Sequence, residues 1–215
     1  MRKKQIETPF APTWPWMQLA NGGAYVFGDG PHDLTGFRVE HVAHALSQIN
    51  RYTGHSRFPY SVAQHSVFVS KLLDFDPRLA MLGLAHDAHE IIIGDIGTPM
   101  KLALRAAGAG EVLEKLEADA DKVMLALFGA EPVKDAFEAE AIKRADLIAL
   151  ATEYRDVMEK RHDWNLPHRP NPTKLRPMTA QSAASLFMRR YRQLKRQLGT
   201  KPSKWRRSNV DAQRP

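Results

Sequence analysis

His86 and Asp87 stand side by side in LGLAHDAHEIIIGD, a stretch otherwise apolar enough to be buried. A buried charge needs a partner, and for an imidazole next to a carboxylate the natural partner is a metal ion. Successive residues on a helix turn by about 100°, so His86 and Asp87 fan out while Glu90 projects between them one turn further on. Two more ligand types lie in helical patterns elsewhere. His65 sits in SVAQHS, and Asp146 sits in EAIKRADLIALATEY, apolar on nearly every side from Ala145 to Ala151. An unpaired carboxylate there is costly, so Asp146 wants a cation. The chain has no cysteine, which leaves histidine and carboxylate as its strong ligands. Together, His65, His86, Asp87 and Asp146 on three helices would form an all N/O site with positions open for water and a substrate oxygen.

Each residue also has a plainer reading. His65 would pack at a helix interface with its ring bonded to backbone, and Asp146 would pair with Lys143 or Arg144. Glu90 would be an exposed helix residue, Asp95 a loop or capping residue, and Arg51 structural. Seven of the nine histidines fall between positions 32 and 89. His41, His44 and His55 have no carboxylate at matching spacing and are not read as ligands. His89, one turn from His86, is placed for a contact behind the metal ligands or with substrate.

The elements that must hold these side chains follow from periodicity. Two short apolar segments within Trp14 to Asp29 flank Asn21-Gly22-Gly23, a turn composition suited to a β-hairpin. Arg38 to Asn50 repeats apolar residues at helical spacing, Arg51 to Tyr60 reads as a loop, and Ser61 is an N-cap before VAQHSVFVSKLL. The spacing then predicts one helix from Pro77 to Ile93 ended by Gly94, a loop over Asp95 to Lys101, and longer helices over Gly110 to Phe128, Asp135 to Lys160 and Thr179 to Leu198. The fold class is therefore all-α, a helical bundle with a small N-terminal hairpin. The expected division is an N-terminal extension over 1–37, a helical domain over 38–198 and a basic, disordered tail over 199–215.

At 215 residues, 43% hydrophobic and 26% charged, the chain suits one globular domain with a sizeable core. The formal charge of +7 is concentrated at the ends. Lys201, Lys204, Arg206, Arg207 and Arg214 face only Asp211 in the tail, and Arg2, Lys3 and Lys4 open the chain. A charged tail is usually just solvated, and Trp205 is a weak sign of base stacking, so nucleic acid is not expected as a partner. No apolar export segment follows the first cations, and no run of about eighteen apolar residues occurs. The expected location is the cytoplasm, with no membrane partner.

The pieces SVAQHS, AHDAHEIIIGDIGTP and ADLIAL resemble the metal-dependent HD-domain phosphohydrolases. Asn50-Arg51-Tyr52 and the run H-D-x-x-E-x-x-x-G-D-x-x-T-P are similar to bacterial 5′-deoxynucleotidases and related phage enzymes, deoxyadenosine triphosphatases among them, over roughly residues 38 to 155. The resemblance implies that His65, His86, Asp87 and Asp146 are metal ligands and that Glu90 and Asp95 handle the attacking water and the leaving group. It also implies that Arg51 binds substrate. Tyr52 stands where those nucleotidases have Trp, and His89 where a small polar residue is common, positions that bear on base and sugar preference.

The chemistry suits each residue type. A phosphate ester repels hydroxide, so one divalent ion (manganese, cobalt, iron, nickel, zinc or magnesium) is expected to neutralise it and acidify water. Arg51 offers bidentate phosphate contacts, and Lys101 a further positive charge. The expected activity is hydrolysis of nucleotides, with 5′-deoxynucleoside monophosphates leading and release of triphosphate from deoxynucleoside triphosphates as the alternative. A metal- or nucleotide-binding module without turnover, its tail on nucleic acid, is the second alternative. Related nucleotidases often pair, which implies a homodimer.

Overall fold

Apolar residues on both sides of Asn21-Gly22-Gly23 fold back as an antiparallel hairpin in the computed structural model. Strand β1 (Trp16–Gln18) pairs with β2 (Ala24–Val26) in the register Trp16 to Val26, Met17 to Tyr25 and Gln18 to Ala24. Leu19 N–H donates to Gly23 O at 2.7 Å across the turn, and Gly22 adopts φ +86°, the left-handed region that glycine reaches without steric cost. The Asn21 amide ties the turn to Thr35 O at 2.9 Å. The structure describes residues 14–28 and 30–199. They fall into two compact units that divide between Phe37 and Arg38. The N-terminal cations and the basic segment expected at 199–215 lie outside the described residues, apart from Gly199.

The described part of the second unit is built from helices and the loops that join them. Its elements are α1 (Val39–Gln48), a 3-10 turn (Arg51–Gly54), α2 (Val62–Leu72), α3 (Pro77–Ala85), α4 (Glu90–Ile93), α5 (Thr98–Ala106), α6 (Gly110–Phe128), α7 (Ala136–Asp156) and α8 (Ala180–Leu198). Helix α2 is the centre: every residue from Val62 to Ser70 is buried, and it packs against α1, α3, α7 and α8. A helix apolar all round must be enclosed on all sides, which explains why its few polar side chains are special. Ser61 caps it as expected, its hydroxyl accepting from Gln64 N while the Gln64 side chain accepts from Ser61 N. The core between α6 and α8 includes Phe128 edge-on to Phe187, with centroids 6.0 Å apart.

Four expected elements differ. The helix predicted over Pro77 to Ile93 breaks after Ala85 and resumes at Glu90. The Gly83 carbonyl accepts from His86 Nδ1 at 2.9 Å, competing with the next helical N–H, and the following bonds run three residues back: Ala88 N to Ala85 O, Glu90 N to Asp87 O. His86 and Asp87 therefore sit on a tightened turn. The loop predicted over Asp95 to Lys101 is already helical from Thr98, because Pro99 occupies the first turn, where its missing N–H costs nothing. The predicted helix to Lys160 stops at Asp156, and a 3-10 turn interrupts the expected loop after Asn50. Among the described residues, no helix is long and apolar enough to cross a membrane.

Candidate metal centre

The enclosed helix α2 delivers His65 with no solvent exposure. The turn after α3 delivers His86 and Asp87, and α7 delivers Asp146. Their donor atoms meet. His65 Nε2 lies 3.3 Å from His86 Nε2, 3.3 Å from Asp87 Oδ2 and 3.4 Å from Asp146 Oδ1, and His86 Nε2 lies 3.2 Å from Asp87 Oδ2. Atoms bound to one cation at about 2.1 Å, with angles between about 90° and 110°, stand roughly 3.0–3.4 Å apart. A cation shared among them would fit this spacing. His65, His86 and Asp87 can hold a metal ion.

The second ring nitrogens support the fit. His86 Nδ1 faces the Gly83 carbonyl, which only accepts, so Nδ1 carries a proton and leaves Nε2 as the nitrogen whose lone pair a cation would take. His65 Nδ1 lies 2.6 Å from Glu153 Oε1. A carboxylate or carbonyl behind each imidazole fixes the tautomer that metal binding needs. The field is also right for a cation. Burial and Arg51 work against a charged His65, yet Glu153, Asp146 and Asp87 hold its proton affinity well above the ordinary range. Despite burial, the His86 and His65 imidazoles hold the Asp87 carboxyl well below its usual range, and His65 does the same for Asp146.

The other residues singled out in the sequence fall as follows. Glu90 is buried, and its Oε2 has no hydrogen-bond partner among the described residues; burial, with Asp87 and Asp95 nearby, pushes its carboxyl up to about 10. Asp95 Oδ2 accepts from Tyr52 N–H at 3.2 Å. Arg51 is buried, with Nε 3.1 Å from Glu153 Oε2 and Nη1 3.6 Å from Asp87 Oδ2. The Tyr52 hydroxyl donates to the same Glu153 oxygen. His89 Nδ1 pairs with Asp121 Oδ1 on α6 at 2.9 Å, and Lys101 Nζ pairs with Glu117 Oε1 at 2.9 Å. No described contact joins Lys101 to the histidine cluster. Asp146 also meets its plainer partner, its Oδ2 lying 3.4 Å from Lys143 Nζ, while Oδ1 faces His65.

Sequence reasoning missed Glu153, which no solvent reaches. It stands seven residues after Asp146, on the same face of α7 two turns along. A carboxylate at that spacing within an apolar run was the signal available.

No family model matches the chain. The chain is 32% identical over 160 residues to the uncharacterized protein YfdR of Escherichia coli (strain K12), across 73% of this chain and 83% of that protein. The chain belongs to the YfdR family. The uncharacterized protein RCAP_rcc00048 of Rhodobacter capsulatus is 30% identical over 150 residues, across 66% of this chain and 72% of that protein. A shorter similarity, 33% over 87 residues, is to the dATP triphosphohydrolase of Acinetobacter phage SH-Ab 15497, and it spans 39% of this chain and 41% of the phage protein.

Proposed function

We propose that the chain is a divalent-metal-dependent phosphohydrolase of the HD type that acts on nucleotides, with 5′-deoxynucleoside monophosphates as the leading substrates. One observation carries the reading: imidazoles and a carboxylate from α2 and the turn after α3 converge at ligand spacing beside a buried Glu90 whose Oε2 has no hydrogen-bond partner among the described residues. Asp146 is the fourth ligand in this reading, its Oδ1 turned to His65. When bound, the cation neutralises charge on the phosphoryl group and acidifies water. Glu90 orients the attacking water and, with a cation's charge beside it to draw its own proton affinity down, would take the water's proton, a contribution of roughly 10²- to 10⁴-fold. Asp95, held by Tyr52 N–H, positions water or protonates the departing oxygen. Arg51 has guanidinium donors beyond those used on Glu153 and offers them to the phosphate. Tyr52 and His89 border the substrate, and Lys101 contributes long-range positive charge.

A second reading, release of triphosphate from deoxynucleoside triphosphates, is favoured by the similarity to the phage dATP triphosphohydrolase. A module that only binds metal or nucleotide has no use for an orphaned acid beside the cluster. The deciding experiment assays the purified full chain on nucleoside mono-, di- and triphosphates with each divalent metal. Inorganic phosphate from monophosphates supports the first reading and triphosphate the second. A metal-loaded chain that hydrolyses none of them overturns both.

A further inference from the structure

Glu153 collects three donors in a site without solvent. Oε1 accepts from His65 Nδ1 at 2.6 Å, and Oε2 accepts from Arg51 Nε at 3.1 Å and from the Tyr52 hydroxyl. Glu153 bonds on one side to a cluster imidazole and on the other to the turn that carries Arg51 and Tyr52.

That turn cannot hold itself. Tyr52 (φ +58°) and Thr53 (φ +52°) occupy the left-handed region in succession, followed by Gly54 (φ +81°), and side-chain-bearing residues adopt it only when their surroundings impose it. The surroundings are few and specific. Arg51 N–H donates to Tyr60 O at 2.9 Å, Tyr52 N–H donates to Asp95, and both side chains end on Glu153. Arg51 also reaches back to Asp87 at 3.6 Å, so His65, Glu153, Arg51 and Asp87 form a closed ring of contacts.

We propose that Glu153 is a positioning residue that sets two properties at once: it presents the Nε2 lone pair of His65 to the cation, and it holds Arg51 at the phosphate side of the same cluster. The inference rests on the metal-site reading above and goes beyond it by assigning a residue that neither ligates the cation nor touches substrate. An isosteric amide cannot do this work. In Glu153→Gln, either the amide nitrogen faces His65, forcing Nδ1 to accept and placing a proton on Nε2, or it faces the Arg51 and Tyr52 donors.

The test is calorimetric titration of the full chain with Mn²⁺ alone, together with imidazole ¹⁵N spectra. In the unsubstituted protein, at a pH high enough for the ring to be neutral, His65 carries its proton on Nδ1. In Glu153→Gln, Mn²⁺ affinity falls roughly 10- to 100-fold, and Glu153→Asp, which keeps the charge, recovers part of the loss. With a nucleotide substrate KM rises as well, because Arg51 is released. A Glu153→Gln protein that is folded and binds Mn²⁺ as tightly as the unsubstituted chain overturns the inference and leaves the metal site standing. If the variant does not fold, a His65 protonated on Nε2 in the unsubstituted protein overturns it equally, and Nδ1 protonation supports it. An unsubstituted chain that takes up no Mn²⁺ sinks the site reading and this inference together.

Discussion

The carbonyl of Gly83 lies 2.9 Å from His86 Nδ1, and the same residue has no room for a side chain. A Cβ at Gly83 would stand 2.6 Å from Leu73 Cδ1, 3.3 Å from Val69 Cγ1 and 3.5 Å from Ser70 Cα. The absence of a side chain lets α3 approach α2, and the carbonyl aims the imidazole that follows. Leu73 is itself buried, so its displacement is not free. Gly83→Ala is expected to destabilise the protein by about 1–3 kcal/mol, the usual effect of overpacking. Denaturant unfolding checks this; an unchanged midpoint would show that α3 can withdraw without loss.

Substitutions in the cluster separate binding from turnover. His86→Ala is expected to abolish stoichiometric metal, whereas Glu90→Ala keeps metal and loses roughly 10²- to 10⁴-fold in rate. Metal content by elemental analysis, set beside rates on the same samples, distinguishes the two. Full activity in Glu90→Ala removes it from the mechanism.

Asp146 faces two partners, and they differ in weight. Lys143 is mostly exposed, and an exposed pair of this kind contributes at most about 1 kcal/mol. His65 Nε2 is enclosed. Lys143→Met should therefore leave metal content and thermal midpoint nearly unchanged, and Asp146→Asn should lower metal content. Equal retention of metal in both variants would reduce Asp146 to a surface ion-pair residue.

Asp156, at the end of α7, accepts from Arg155 Nε at 2.8 Å, from Lys174 Nζ at 3.1 Å and from Leu175 N–H at 3.0 Å. The hydrogen bonds from Arg155, then those from Leu175 and Lys174, hold its carboxyl below the ordinary range. A depressed folded pKa means that the stabilisation is present above the unfolded value of about 4 and is lost as pH falls through the folded one. Asp156→Asn should lower stability at neutral pH and flatten its decline below about pH 4. Parallel pH profiles for the two proteins would contradict this.

The hairpin and most helices were legible in the sequence because their apolar residues repeat at the period of the element: the Asn21-Gly22-Gly23 turn, the Ser61 cap and the Gly110–Phe128 helix needed nothing further. The break after Ala85 was not legible, since it arises from an imidazole competing for a helical carbonyl. Helix α5 was hidden by reading Gly97 and Pro99 as breakers when Pro99 sits in a first turn. For the candidate site, residue types pointed to His65, His86 and Asp87, which α2 and the turn after α3 bring together. Glu153 escaped because its partners lie about a hundred positions away, at His65 and Arg51, and no local pattern reports such a contact.

Helix α5 contributes no buried residue from Thr98 to Ala106, and Met100 and Leu102 are exposed upon it. It begins three positions past Asp95. With little apolar burial to lose, its amides should exchange with deuterium by local opening well before those of α2, whose opening requires unfolding of the whole domain. The chain thus joins a slowly exchanging half that carries the imidazoles to a readily melting flank just beyond the acids, so crowding or ligands could alter the flank's protection while α2 keeps its own.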